Sequence, residues 1–317
     1  MAAAAEPAEV AELLARVDAF VFDCDGVLYT PEGTVAGVPA ALASLRAAGK
    51  KVLFVTNAGS STREQLQANL QAKGIEADVS EVFGSAYLTA AYLRQRAELG
   101  PGAKVYVSGT AGMAAEIRNH AGLEVLGGGE DNDKVGRVSV EEMAAEPTDP
   151  AVRAVVIGGD AAGFSYYKVA KCVRYLVENE GCEYVLANPD VRFPIKSARA
   201  ADPAREGSTN SYLPAAGAQA ASVSACTGRE PVVCGKPSTL AMELIIEAHG
   251  IDPARTAMVG DTLDTDIEFG NASGVTTVAV LSGNTSAEAA AAATGVKRPD
   301  LVIGSVAELL VEQTPQL

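Results

Sequence analysis

Short apolar runs alternate with helical stretches through most of the 317 residues, and this alternation leaves the chain few architectures. Ala19–Asp23, Val52–Thr56, Pro231–Cys234, Thr256–Val259, Thr276–Leu281 and Leu301–Ile303 read as short buried strands. Helices are expected between them. One spans Val38–Ala48 and closes at Gly49, and another follows the capping-box pattern Ser61-Thr62-Arg63-Glu64 and ends at Gly74. Others fall near Leu240–His249, Thr265–Phe269 and Ala287–Ala293, where the alanine run 289–293 suits a helix surface. Strands that alternate with helices need right-handed crossovers. The fold class is therefore α/β, a doubly wound and mostly parallel, Rossmann-like sheet covered on both faces.

The middle of the chain reads as a unit of its own. From about Tyr87 to Glu206, strands are expected at Lys104–Ser108, Val152–Ile157 and Glu183–Leu186, with a helix around Phe164–Glu178. Gly127-Gly128-Gly129, Asp131–Asp133 and Glu146–Pro150 read as surface loops. A length of 317 residues suits two domains at roughly 150 residues each. The expected division is a core domain from residues 1–86 and 207–317, with an α/β cap domain, 87–206, inserted into it.

Composition narrows the functional classes. At 48% apolar and 21% charged residues the chain is expected to fold rather than stay disordered. Its 25 basic against 40 acidic residues leave a net charge of −15. Such a surface is unsuited to nucleic-acid backbones and repels anionic membranes, so neither partner is expected. An anionic substrate would need a local positive device. No run approaches a membrane-spanning length. The first twenty residues lack secretory features, which points to the cytoplasm; a chain trimmed of a chloroplast transit peptide would read the same. The five cysteines, Cys24, Cys172, Cys182, Cys226 and Cys234, form no C-x-x-C pair and read as reduced, small buried hydrophobes.

Four motifs carry chemistry. In FVFDCDGVL, Phe20–Leu28, an apolar strand delivers Asp23 and Asp25 to a sheet edge, where open parallel sheets bind ligands. Two close carboxylates want a cation or a shared proton. An EF-hand reading fails, since the sixth position from Asp23 is Leu28 and the twelfth is Thr34. A solvated acidic turn is the alternative. Thr56-Asn57 follows the next strand and offers a hydroxyl and amides suited to phosphate, or is a plain turn. Gly235-Lys236-Pro237-Ser238 is no P-loop, yet Lys236 can place one ammonium in a pocket if it is not a surface lysine. In MVGDTLDTDI, Met258–Ile267, Asp261 ends a strand, with Asp264 and Asp266 behind it. These oxygens suit a hard cation such as Mg2+, while Asp264 also fits as a helix-capping acid.

In this order the motifs resemble those of the haloacid dehalogenase-like hydrolase superfamily over about residues 19–82 and 207–311. The stretches VFDCDGVL, AVVIGGD, YVLANPD, GREPVVCGKPS and MVGDTLDTDIEFG are similar to its p-nitrophenylphosphatase branch, which includes phosphoglycolate phosphatases. The resemblance implies Mg2+-dependent hydrolysis of a small-molecule phosphate monoester through an aspartyl-phosphate. It implies Asp23 as nucleophile and Asp25 as general acid and base. Asp23, Asp261 and the Asp25 carbonyl would hold the metal, with Asp266 supporting them. Thr56, Asn57, Ala58 and Lys236 would hold the phosphoryl group. Asn188, Asp190 and Arg192, with Lys196 beyond them, would lie in the substrate-facing cap loop. The implied substrate is 2-phosphoglycolate, with glycerol phosphate, pyridoxal phosphate or a broad range as alternatives. The implied partners are a small phosphorylated metabolite and a second copy bound through the cap.

The chain departs from the branch at Ala58-Gly59, where Asn-Ser is usual, at Thr262 in place of Arg, and in the return from the cap, where Pro214-Ala215-Ala216-Gly217 stands in place of the frequent Pro-Gly-x-Gly. These leave the chemistry in place but bear on substrate preference. Other classes fit less well. His120 and His249 are poorly placed for catalysis, with His249 suited to a helix C-terminus. There is neither a G-x-S-x-G elbow nor a G-x-G-x-x-G turn in the first βα unit. Tyr166, Tyr167 and Tyr175 suit packing more than ligand stacking. A non-catalytic binding protein on the same fold would be expected to lack Asp23 or Asp25, and both are present.

Overall fold

The computed structural model describes residues 5–129, 138–159, 165–196 and 210–311. In chain order the strands are β1 (Ala19–Phe22), β2 (Tyr29–Thr30), β3 (Gly33–Thr34), β4 (Lys51–Thr56), β5 (Val82–Gly84), β6 (Lys104–Ser108), β7 (Glu124–Gly127) and β8 (Val152–Ile157). They continue as β9 (Glu183–Leu186), β10 (Arg192–Lys196), β11 (Asn210–Pro214), β12 (Val232–Val233), β13 (Thr256–Gly260), β14 (Thr276–Val280) and β15 (Leu301–Ile303). The chain forms two compact units. The first comprises Met1–Thr56, Arg63–Gly84 and Lys236–Leu317, and the second Asn57–Thr62 and Ser85–Gly235.

The first unit is built on a six-stranded sheet in the order β15-β14-β13-β1-β4-β5, parallel throughout. β1 lies near its middle and is buried on both faces, which is why AFVF is apolar at every position rather than alternating. Phe20 and Phe22 share one face, two residues apart, and their rings stack with centroids 5.8 Å apart. From β1 the chain moves outward through β4 and β5, and later returns to the other side of β1 as β13, then β14 and β15. The order of strands therefore reverses between β1 and β13. At such a point neighbouring crossovers lie on opposite faces and leave a crevice at the carboxyl ends of the strands.

The second unit holds a parallel five-stranded sheet, β12-β9-β8-β6-β7, and the antiparallel pair β10-β11. Its core packs Tyr106, Val155, Ile157, Tyr175 and Tyr184. The strands expected at Lys104–Ser108, Val152–Ile157 and Glu183–Leu186 are β6, β8 and β9, and the helix between the last two is Tyr166–Glu178. Asp131–Asp133 and Phe164 lie outside the described residues.

Several details differ from the sequence reading. The run Pro231–Cys234 is not a strand of the first sheet. Its short strand β12 pairs with β9, Val232 beside Val185 and Val233 beside Leu186, so the second unit runs on to Gly235 instead of ending at 206. A short apolar run looks the same whichever sheet accepts it. The glycine-rich loop begins inside β7, which takes in Gly127. The helix placed at Thr265–Phe269 is a wide helical turn, Leu263–Ile267, running into a helix over Glu268–Ala272. Tyr167 and Tyr175 are buried, whereas Tyr166 points outward at 72% exposure. Four cysteines are buried, and Cys226 is exposed.

The position of β1 has a measurable consequence. Phe22→Ala should destabilise the protein by about 3–5 kcal/mol, the range for removing a buried aromatic ring. Val296→Ala, at a site 54% exposed, should change stability by less than about 0.5 kcal/mol. Denaturant midpoints compare the two, and equal shifts would contradict the central placement of β1.

Candidate active site

The ladder between β1 and β13 extends one residue beyond the strand. The Asp23 amide donates to the Val259 carbonyl at 2.9 Å, so the carboxylate emerges where the strand order reverses. The chain then turns sharply. Gly26 has φ of 80°, and its amide donates to the Tyr29 carbonyl at 2.8 Å. A Cβ at Gly26 would lie 2.2 Å from Asp261 Oδ2, so the close approach of the two segments requires glycine. Asp261 itself follows directly after β13.

Lys236 reaches the same place. It is 2% exposed, and Nζ donates to Asp23 Oδ1 at 2.5 Å and to Asp266 Oδ1 at 2.6 Å. The other oxygen of Asp266, Oδ2, accepts from the Asp261 amide at 3.1 Å and the Thr262 amide at 3.0 Å. Asp266 thereby fixes both the lysine and the start of the turn that carries Asp261. The fit is close, since a Cβ at Gly260 would lie 2.1 Å from Asp266 Cβ.

Asp23, Asp261 and Asp266 each bring a carboxylate oxygen within 4.8 Å of the others, and all three are buried. Three carboxylates against one ammonium leave two negative charges uncompensated. Burying unpaired charge is costly. A divalent cation with a preference for oxygen ligands would balance the set, and the residues present therefore fit one.

The pKa values express the same imbalance. Burial pushes Asp23 up to about 8, against the pull of Lys236, while Asp266 and Asp261 add to the rise. Asp261 is also raised, by burial and by Asp266, against the Asn284 amide and the Thr262 hydroxyl. Burial works against the Lys236 ammonium, but Asp23 and Asp266 outweigh it and hold its pKa above the usual lysine range. Asp25 differs from Asp23. Its side chain is exposed, yet enough protein surrounds the carboxyl for desolvation to raise its pKa, opposed by Lys236 and Lys73.

Among the residues singled out from sequence, Asp23, Asp25, Thr56, Lys236, Asp261 and Asp266 belong to the first unit, with Thr56 buried at the end of β4. The buried carboxylate cluster is Asp23, Asp261 and Asp266; Asp25, expected to offer a metal its backbone carbonyl and not its side chain, is not among these carboxylates. Asp264 is exposed and pairs with Lys297 at 2.7 Å. Asn57, Ala58, Asn188, Asp190 and Arg192 belong to the second unit. There the Asn57 carbonyl accepts from Asn188 Nδ2 at 2.9 Å and Ser85 Oγ at 3.0 Å, and Asn57 Nδ2 donates to Asp190 Oδ1 at 3.4 Å. Arg192 lies over the Tyr212 ring, 4.2 Å from its centroid. The side chain of Lys196 is outside the described residues.

The run Ser282-Gly283-Asn284-Thr285 escaped the sequence reading. Asn284 donates to Asp261 Oδ2 from its backbone at 2.7 Å and from Nδ2 at 2.9 Å. Thr285 Oγ1 donates to the Asp261 carbonyl at 2.6 Å, and Ser282 Oγ to the Gly26 carbonyl at 2.8 Å. The signal was there: this polar run follows β14 as Asp261 follows β13, at the carboxyl end of a parallel strand.

Comparison with known proteins agrees with this geometry. A family model described as haloacid dehalogenase-like hydrolase matches residues 20–123, and a second, described as HAD-hydrolase-like, matches 233–309. A glycerol-3-phosphate phosphatase of Gallus gallus is 39% identical over 307 residues, covering 94% of this chain and 92% of the relative. The chloroplastic phosphoglycolate phosphatase 1A of Arabidopsis thaliana is 34% identical, covering 94% and 78%. Among solved structures, a glycerol phosphate phosphatase from Mycobacterium tuberculosis in complex with magnesium superposes with a TM-score of 0.72 at 27% identity, covering 94% of this chain and 77% of that one.

The raised pKa of Asp23 predicts how the cluster takes a cation. Below about 8 a proton competes with the ion for this carboxylate; above it the competition ends. Affinity for Mn2+, titrated into metal-free protein, should rise with pH by up to about tenfold per unit and then level off. Affinity independent of pH between 6 and 8 would contradict the raised value.

Proposed function

The chain belongs to the haloacid dehalogenase-like hydrolase family and is a phosphoric monoester hydrolase, and from that premise we propose that it acts on two- and three-carbon phosphate monoesters, 2-phosphoglycolate first among them. The buried set of Asp23, Lys236, Asp261 and Asp266 at the strand-order reversal supports phosphate-ester hydrolysis, and the phosphoglycolate phosphatase of Arabidopsis thaliana at 34% identity supports the substrate.

Asp23 is the nucleophile. One of its carboxylate oxygens attacks phosphorus in line with the ester oxygen, giving an aspartyl-phosphate as the P–O bond to the alcohol breaks. Both partners are negative. Lys236, bridging Asp23 and Asp266, offsets that repulsion and stabilises charge on the phosphoryl oxygens. Asp266 keeps the ammonium aimed. Thr56 offers its hydroxyl to a phosphoryl oxygen from the end of β4. Asp25, whose carboxyl is raised by desolvation, donates its proton to the departing alkoxide. It then takes a proton from the water that attacks the aspartyl-phosphate, which releases phosphate and restores Asp23. Asp23, Asp261 and the Asp25 backbone carbonyl would hold Mg2+, which when bound supplies Lewis-acid neutralisation of phosphoryl charge.

A second reading, glycerol-3-phosphate as the preferred ester, is favoured by the relative of that name at 39% identity. A panel of 2-phosphoglycolate, glycerol-3-phosphate, pyridoxal phosphate and p-nitrophenyl phosphate separates the two by kcat/KM. The highest value is expected for 2-phosphoglycolate, with loss of all activity in EDTA. A higher value for glycerol-3-phosphate would select the second reading, and no hydrolysis of any ester would remove both.

The assigned roles make a separate prediction. Asp23→Asn should abolish turnover. Asp25→Asn should lower kcat by about 10²–10⁴, the usual worth of a general acid. Steady-state rates on the preferred ester test both, and an active Asp23→Asn enzyme would refute the nucleophile.

A further inference from the structure

We propose that Asn284 and Thr262 are positioning residues that leave Asp261 a single free lone-pair site, on Oδ1, and so set the affinity of the site for its divalent cation. The inference rests on the reading above, in that the site is taken to bind such an ion.

An ionised carboxylate presents about four lone-pair sites, two on each oxygen. On Asp261, Oδ2 accepts two donors from one residue, the Asn284 amide at 2.7 Å and Nδ2 at 2.9 Å, and is saturated. It is also walled in. A Cβ on Gly283 would lie 1.9 Å from Oδ2 and a Cβ on Gly26 2.2 Å from it, so the backbone of two loops presses against this oxygen. No space remains there for an ion. Among the described residues Oδ1 accepts one bond, from Thr262 Oγ1 at 3.0 Å. One of the four sites is left, and it is on Oδ1.

The Thr262 proton is held to that task. Asn284 Nδ2 also approaches Thr262 Oγ1 at 3.2 Å, so the hydroxyl accepts from the amide and turns its own hydrogen to Asp261. Both Nδ2 hydrogens are then used, one on Oδ2 and one on the hydroxyl. The carboxylate fixes which way the amide faces, because Asn284 Oδ1 turned toward it would set two acceptors against each other. Thr285 and Ser282 tie the loop down at the Asp261 and Gly26 carbonyls. Thr262, which stands where the branch usually has Arg, thus works as the partner of Asn284. A carboxylate held by such neighbours coordinates without first having to be ordered, and loss of partners of this kind typically lowers metal affinity about 10–100-fold.

Asn284 is exposed and Thr262 half-buried, so their replacement should leave the fold intact. The test is calorimetric titration of Mn2+ into the metal-free full-length chain, with the melting temperature of the same metal-free samples. Asn284→Ala is expected to raise the Mn2+ Kd about 10–100-fold. Thr262→Val should raise it less, and Thr262→Ser should restore it. Metal-free melting temperatures should stay within about 2 °C of wild type, a shift that corresponds to a minor stability change in a protein of this size. Wild-type Mn2+ affinity in Asn284→Ala would overturn the proposal. So would weakened affinity accompanied by a large fall in metal-free melting temperature, which would mark a merely structural role. A wild-type chain that binds no Mn2+ would remove the cation reading itself, and this inference with it.

Discussion

The ammonium of Lys236, wedged between Asp23 and Asp266 with almost no access to water, is the interaction on which the site depends. Three acidic side chains could not share one buried volume without it. A lone lysine there would be as unfavourable as the lone acids. Each group is tolerable only because the others are present. The balance is still incomplete, and the remaining negative charge gives the pocket its appetite for a dication. In a chain of net charge −15 the attraction for a phosphate ester must be generated locally, by one buried lysine and the ion its neighbours invite.

Topology makes this clustering possible. Asp23 and Asp261 are far apart in sequence, yet they leave adjacent strands just beyond the paired positions Phe22 and Val259, Asp23 by one residue and Asp261 by two. Lys236 enters as the chain returns from the second unit. β14 then contributes the Ser282–Thr285 loop from the next position along the same sheet edge. Short strands suffice because their task is to bring chain ends into register; the apolar faces of AFVF and TAMVG anchor them in the core.

The architecture was legible wherever a short strand held an unbroken apolar run, as in the whole of Ala19–Phe22 and the interiors of Lys104–Ser108 and Glu183–Leu186. It was illegible where the identity of the partner mattered. Pro231–Cys234 carried the right pattern but paired with β9, because two apolar residues do not encode which sheet receives them. β10 and β11, a hairpin with exposed Tyr212 and Leu213, carried no clean alternation to read. At the site, Asp23, Lys236 and Asp261 stood out because charge at a strand end is conspicuous. Asn284 did not, since an Asn in Ser-Gly-Asn-Thr is what an ordinary loop contains. Its role comes from distances of 2.7 and 2.9 Å to an acid 23 positions earlier.

Strand geometry alone sends residues i and i+2 the same way, so Asp23 and Asp25 should share one environment. The turn at Gly26 prevents this. Asp23 stays in the ladder and under Lys236, with 8% of its surface exposed, while Asp25 is carried out to solvent at the rim. The difference suits opposite duties. A nucleophile must be held ionised by cations on a dry floor, and an acid that becomes a base must exchange its proton with a departing alcohol and then with water. On the roles proposed for these two carboxylates, Gly26 is thus what separates the nucleophile from the general acid. Glycine is needed there twice over, for a φ of 80° and because a Cβ would lie 2.2 Å from Asp261 Oδ2.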